Sequence, residues 1–311
     1  MMSTYKFGRR HLLKSTLAGA AGMSLGTSGC QKQSAPASAE RKTRSMPTRR
    51  LGRTGHHVTI FSLGGQSTIE QPGKEDEAVA IINRAMDLGV NYVDTAERYG
   101  RGISESYLGK VMKERRKEIF LATKSHDYSY DGTMRNCEAS LKRLQTDYLD
   151  LYQHHAINDV ESLDQIVGRD GALRAFEKLH DEGVIRYKGI TGHSPRIMLE
   201  GLNRYDYDCV LISVNPANVN MEHAEDMIQF FSATLERDVG VIGMKVVGRG
   251  EVLNRGLTMK QAFDYTLSFP MATAVIGITE LWQLDENVKW ACEFEQLSEE
   301  QRVELEHIAH S

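Results

Sequence analysis

Only 4 of the 311 residues are cysteine, and their spacing leaves little for them to do. Cys137, Cys209 and Cys292 are scattered, odd in number and without a CxxC pair. That excludes a disulfide framework and a structural zinc site, and no metal site is expected. Excess charge of one sign is also missing. The 38 Lys and Arg stand against 42 Asp and Glu, a formal net charge of −4. No basic stripe runs along the chain, so nucleic acid is not expected as a partner. Long apolar runs are lacking too. The run from Leu12 to Leu25 is rich in Ala and Gly, too short and too weakly apolar for a permanent membrane helix. Finally, an early GxGxxG fingerprint is absent. GGQSTI follows the first apolar run, and GRGEVL at 248–253 comes late and lacks the third glycine. A doubly wound sheet that binds a dinucleotide at its first βα turn is therefore disfavoured.

What is present begins with a targeting segment, residues 1–30. Lys6, Arg9 and Arg10 make its front positive. The string Arg9-Arg10-His11-Leu12-Leu13-Lys14 resembles the twin-arginine export motif, with Leu12 where Phe is common. Such a signal is an address read by the twin-arginine translocase, not an anchor. Ser28-Gly29-Cys30 resembles a lipobox, with Thr27 where a larger apolar residue is usual. The expectation is export to the periplasm or cell envelope, with Cys30 as a lipid anchor point. Residues 31–48, QKQSAPASAERKTRSMPT, are polar with no apolar periodicity and read as a disordered tether. The functional body is 49–311.

That body alternates with a repeat of about 30 residues, the size of a βα unit. FSLGG (61–65) is followed by EDEAVAIINRAMDLGV, which sets Ala78, Ile81, Ile82, Ala85 and Met86 at helical spacing and stops at Gly89. The pattern continues through NYVD, EIFLATK, DYLDLYQHH, YKGIT, CVLISVN, GVIGMKV and TAVIGI, eight apolar strand candidates in all. They read as apolar runs rather than alternating ones, as strands of a buried parallel sheet do. Eight such units predict a closed (β/α)8 TIM barrel, a fold of about 250 residues with its chemistry at the carboxyl ends of the strands.

At those ends stand Asp94, Lys124 and the pair His154-His155, with Tyr99 in the loop after Asp94. Each has an ordinary structural explanation alone. Together they bring a carboxylate, an ammonium, a phenol and an imidazole to one mouth. A phenol of pKa near 10 is a weak acid. A buried ammonium beside it favours the phenolate, and a carboxylate behind the lysine keeps that ammonium charged. This suits protonation of an alkoxide forming at a reduced carbonyl. Neighbours 154 and 155 point to opposite sides of a strand, so at most one faces the site. The same geometry disfavours a metal on the pair.

Four segments in order, NYVDTAERYG, DYLDLYQHHA, EGVIRYKGIT and GVIGMKVVGRG, with RRLGRTGHHVTIFSLGG before them and VIGITELWQLDENV after, make the body resemble the aldo-keto reductase family. The resemblance implies the barrel with an amino-terminal β-hairpin over Arg49 to Ile60, and NADP or NAD lying across the mouth. It implies a catalytic tetrad of Asp94, Tyr99, Lys124 and His155. Tyr99 would be the acid in reduction and the base in oxidation, Lys124 would lower its pKa, Asp94 would hold Lys124, and His155 would orient the substrate oxygen. The chain also departs from the pattern. Where many relatives have Ser-Asn after the fifth strand, it has Thr191-Gly192 and then His193. The glutamine often found on the sixth strand has no clear counterpart in VLISVNPAN. Asn287 matches the residue that meets the adenine, but the positions of the 2′-phosphate cations are Gly277 and Gln283. Met244 and Lys245, at a strand end, complete the expected cofactor contacts.

An exported nicotinamide enzyme has no external supply of reduced cofactor, so the expectation is a cofactor held tightly and recycled in place. The reaction would be an epimerisation, a dismutation or a redox-assisted cleavage, with a small carbonyl compound or sugar as substrate. The alternatives are an ordinary aldehyde or ketone reductase with diffusible cofactor, and a non-catalytic nicotinamide-binding subunit. The loop 156–170 and the tail after Phe294 read as short covers over an open mouth. Tyr128 and Tyr130 are candidates for stacking on a substrate.

Overall fold

The computed structural model describes residues 45–311. The signal segment, Cys30 and most of the tether lie outside the described residues. The chain opens with an antiparallel hairpin, β1 (Thr48–Arg50) with β2 (His57–Thr59). Eight parallel strands follow: β3 (Phe61–Ser67), β4 (Tyr92–Asp94), β5 (Phe120–Ser125), β6 (Leu149–His154), β7 (Ile185–Gly192), β8 (Cys209–Ser213), β9 (Gly240–Met244) and β10 (Thr273–Ile278). They close in sequence order, β10 returning to β3, as a (β/α)8 barrel. Every strand candidate of the sequence lies in this barrel, and the hairpin stands at the expected segment.

The helices are α1 (Glu75–Asp87), α2 (Ile103–Arg115), α3 (Tyr130–Leu144), α4 (Val160–Val167), α5 (Ala172–Asp181), α6 (Pro195–Arg204), α7 (Met227–Glu236), α8 (Glu251–Asn254), α9 (Met259–Leu267), α10 (Leu281–Cys292) and α11 (Glu299–His310). Helix α1 shows why they form where they do. Three acids, Glu75, Asp76 and Glu77, occupy its first turn, where they oppose the helix dipole. The five apolar residues read from the sequence are its buried face. Burying each large side chain of such a face contributes roughly 1.5–3 kcal/mol.

Two elements were not legible as such. The loop 156–170 carries α4, capped by Asp159, whose carboxylate accepts from the Ser162 amide at 2.7 Å. The tail carries α11, capped by Ser298 and tied to α9 by the hydroxyl of Tyr265 on Glu306 at 2.7 Å. Neither is part of the repeat, so the alternating pattern gave no reason to expect them.

The hairpin sits at the amino-terminal end of the barrel. Leu51 and Val58 join Tyr92, Phe120, Leu151, Cys209 and Ile242 in a core inside the strands. Tyr92 stacks on Phe120 with ring centroids 5.4 Å apart, and Tyr187 continues the stack at 6.0 Å. This end is filled and closed, which leaves the carboxyl end as the mouth. Among the described residues all three cysteines are free thiols. Cys137 and Cys209 are buried and Cys292 partly so, and burial pushes each thiol pKa up, that of Cys137 to about 12.

Strand β6 settles which histidine faces inward. Leu151 lies in the inner core, while Tyr152 and His154 point outward and stack on Phe176 of α5, at 4.8 and 3.8 Å. Both ring nitrogens of His154 are buried without a hydrogen-bond partner, and burial lowers its pKa to about 3. An unfolded chain protonates this residue near 6.5. The folded state therefore loses stability as pH falls below about 6.5, continuing down toward pH 3. We expect this one residue to cost on the order of 2–3 kcal/mol between pH 7.5 and 4.5. Urea titrations at those two pH values should show a flatter pH dependence for His154→Leu than for the unmodified protein. Equal pH dependence would refute the assignment.

Candidate active site

Lys124 lies inside the barrel one residue before the end of β5, 1% exposed, and Asp94 ends β4, 2% exposed. The Lys124 ammonium donates to Asp94 Oδ2, to the Thr95 carbonyl at 2.8 Å and to the Tyr99 hydroxyl at 3.3 Å. The other Asp94 oxygen accepts from Gln153 Nε2 at 3.1 Å. Both charges are thus paired and hydrogen-bonded, which a buried ion pair requires. Burial pushes the Asp94 carboxyl up. It works against the Lys124 ammonium too, but Asp94 and Tyr99 more than offset it and hold that group above its usual range.

Lys124 acts on Tyr99 in the expected direction, lowering its pKa, but the net shift is upward. Burial raises the phenol, and the pull of Lys124 does not outweigh it, because Asp94 already balances the ammonium and pushes the other way. The group is therefore a protonated acid held beside a cation, ready to be favoured as phenolate only when charge develops nearby. Its position depends on Gly100, whose φ is +56° and whose missing Cβ would come 2.2 Å from the Glu70 carbonyl. A side chain there could be accommodated only by moving the Tyr99 turn.

His155 follows β6 and faces the cavity, edge-on to Tyr99 at 5.9 Å between ring centroids. Burial, helped by Lys124 and His126, lowers its pKa to about 2, so the ring is neutral. Nδ1 is buried without a partner. The ring can therefore meet a ligand only through Nε2. The Thr191 hydroxyl accepts from the Ala156 amide at 3.1 Å. His193 Nδ1 lies 2.6 Å from Ser213 Oγ and 3.0 Å from the Asn220 carbonyl. Its pKa is lowered, first by burial and then by Lys245, so this ring is held neutral with Nε2 unbonded. The sixth-strand segment thus supplies Ser213 as a support for His193. Asn215 is turned away, onto the Val219 and Lys245 carbonyls at 2.8 and 3.2 Å.

From this mouth a trough runs away between β3, β9, β10 and α10. Near the tetrad, Gln66, Met244, Lys245 and Arg249 line a cavity of about 320 Å³ with Tyr99, His155 and His193. Next, the bare backbone of Gly64, Gly65 and Gly277 borders a space of about 160 Å³. Beyond lies a groove of about 690 Å³ walled by Trp282, Asn287 and Trp290. The Lys245 ammonium, 3.5 Å from Gln66 Oε1, has its pKa lowered to about 8 by burial and by Arg249 and Lys124. Two cations at mid-trough, glycine edges and an aromatic far end fit a nicotinamide dinucleotide, whose pyrophosphate Lys245 and Arg249 could hold. Gln283 lines the far groove, but its side-chain oxygen is occupied by the Thr279 and Glu280 amides at the start of α10, at 2.9 and 3.1 Å. Only its amide nitrogen is left for a ligand.

Residues 61–311 match the Aldo/keto reductase family. The chain belongs to that family. It is 29% identical over 296 residues to L-galactose dehydrogenase of Arabidopsis thaliana, covering 82% of this chain and 91% of that one. It is 29% identical over 220 residues to an aldo-keto reductase of Schizosaccharomyces pombe whose name specifies NADP(+), covering 66% and 62%. Among solved structures, an aldo-keto reductase of Bacillus halodurans in its holo form superposes with a TM-score of 0.71 at 28% identity, over 85% of this chain and 96% of that one. This aldo-keto reductase is accordingly an enzyme, an oxidoreductase.

Sequence reading missed Gln153, although strand alternation puts it on the same face as Leu151 and His155, so the signal was there. It also missed Gln66, near the end of β3, and Arg98, His126 and Arg249, which come from turns and loops with no pattern to mark them. The enzyme's buried pair gives a direct test. Lys124→Met strands the Asp94 charge and should cost about 3–5 kcal/mol, whereas adding Asp94→Asn should recover a good part of it. Urea unfolding of the two single variants and the double variant measures the coupling, and simple additivity would exclude it.

Proposed function

We propose that this enzyme interconverts a carbonyl and an alcohol on a small polyhydroxylated substrate, with Tyr99 as proton donor in reduction and acceptor in oxidation. The observation that carries the reading is the buried chain Asp94–Lys124–Tyr99, which ends on a phenol at the floor of the mouth beside His155. A nicotinamide dinucleotide bound in the trough supplies or accepts the hydride. Lys124 stabilises the phenolate left when Tyr99 gives its proton to the alkoxide oxygen. Asp94 keeps Lys124 charged, Gln153 fixes Asp94, and neutral His155 donates from Nε2 to the same oxygen and orients it. Thr191 and His193 flank the nicotinamide amide, Lys245 and Arg249 take the pyrophosphate, and Met244 and Asn287 line its course.

The named sugar dehydrogenase among the relatives supports a hydroxylated substrate, and the named NADP(+) reductase supports NADP. Gly277 and Gln283 offer no cation to a 2′-phosphate, so NAD remains a cofactor to test beside NADP. Tyr99→Phe should reduce turnover by about 10²–10⁴, the usual contribution of a positioned acid. Cofactor binding, followed by fluorescence of the two tryptophans of the chain, both on the trough, should be retained. Undiminished turnover in this variant would exclude Tyr99 as the acid and favour another proton donor.

The proposal extends to location. The Arg9-Arg10 string directs the chain to the twin-arginine translocase, with Cys30 as a lipid anchor, and places the enzyme in the periplasm or envelope. That route carries folded proteins, so a cofactor can be loaded first. With the cofactor retained, every turnover must end at the redox state in which it began. Epimerisation, dismutation or redox-assisted cleavage of a sugar satisfies this condition. The exported protein, purified without added cofactor and then denatured, should release close to one equivalent of NADP or NAD, read by chromatography and absorbance. Release of none would rule out a retained cofactor and leave an ordinary reductase.

A further inference from the structure

Beside the tetrad lies a second cavity, a wide-open hollow of about 660 Å³, that the chemistry above does not use. Its volume is within the roughly 300–1,000 Å³ of small-molecule sites. It meets the catalytic cavity at Arg98 and His126, which line both. One wall is aromatic. His126 and Tyr128 stand with ring centroids 5.5 Å apart, and both bond the backbone carbonyl of His155, from His126 Nδ1 at 3.0 Å and the Tyr128 hydroxyl at 3.3 Å. The wall is thereby fixed to the residue that carries the tetrad imidazole.

The opposite wall is α4 and the turn after it, bringing Gln165 and Asp170. This turn is fastened to the segment before α3. The Tyr130 amide donates to the Asp170 carbonyl and the Ala172 amide to the Tyr128 carbonyl, each at 2.8 Å. Gly171 permits the close approach, since a Cβ there would come 2.2 Å from the Ile166 carbonyl. The cavity is therefore built in advance of any ligand.

Its available polar groups define the ligand. Among the described residues, the side chains of Arg98, Gln165 and Asp170 are exposed to solvent at its rim and have no hydrogen-bond partner within the protein. They present a donor fork, an amide with both functions and an acceptor around one space. Glu97 accepts from the amides of Arg98 and His126, and Asp127 from the amide and hydroxyl of Ser129, so the charges left without a partner are the Arg98 guanidinium and the Asp170 carboxylate, one of each sign. A neutral ligand with several hydroxyls, each able to donate and accept, and a ring face for Tyr128 satisfies the whole set.

We propose that this cavity is a subsite for a second sugar ring, so that the substrate is a disaccharide or glycoside with the reacting ring at Tyr99 and its neighbour over Tyr128. The proposal rests on the reading of the tetrad as the reacting centre, but it is tested by binding alone. Isothermal titration calorimetry on the full chain as purified compares glucose with cellobiose, maltose and trehalose. At least one disaccharide should bind about tenfold or more tightly than glucose. In the Gln165→Ala/Asp170→Ala protein that advantage should vanish, with glucose affinity unchanged within about twofold. Disaccharides that bind no better than glucose, or an advantage that survives the double substitution, overturn the subsite. Failure of the tetrad reading is seen separately, as turnover that persists in Tyr99→Phe.

Discussion

A lysine ammonium buried in the middle of a protein is tolerable only when its charge is answered, and here the answer organises the mouth of the barrel. Lys124 reaches Asp94 on the neighbouring strand, the carbonyl of Thr95 and the hydroxyl of Tyr99. Removing one member leaves the others with a charge in a place that cannot solvate it. The register of β4 against β5, and of β5 against β6 through Gln153, is what brings these groups together. The closed bottom serves the same end, since the hairpin and the Tyr92–Phe120–Tyr187 stack keep water from reaching the pair from below. The local electrostatics lead to one conclusion about state. The phenol is held protonated, and burial lowers the pKa of all three imidazoles that line the cavity, His126, His155 and His193, so the groups nearest Tyr99 on that side are neutral.

The barrel was readable because its strands are buried on both faces. Runs such as DYLDLYQHH and TAVIGI have no other use for their apolar content, and eight of them at even spacing leave few architectures to choose from. That at most one of His154 and His155 faces inward was readable from the strict alternation of a strand, while the choice of His155 came from the family resemblance. What was not readable depended on loops. The helix α4 in the segment 156–170 is outside the repeat, and its closing turn is held by backbone bonds to the distant segment before α3. In the same way, nothing in the local sequence announces that Gln283 is occupied by the amides at the start of its own helix. The direction of the Tyr99 shift was also hidden, because it is set by the balance of burial against a cation that Asp94 has already neutralised.

The free thiols carry a consequence of a different kind. Cys137 and Cys209 are enclosed, and the pKa of every cysteine in the barrel is raised, so hardly any thiolate exists at neutral pH. Thiolate is the form that attacks disulfides and oxidants. These thiols are therefore poorly disposed to disulfide exchange, whether the surroundings are reducing or oxidising.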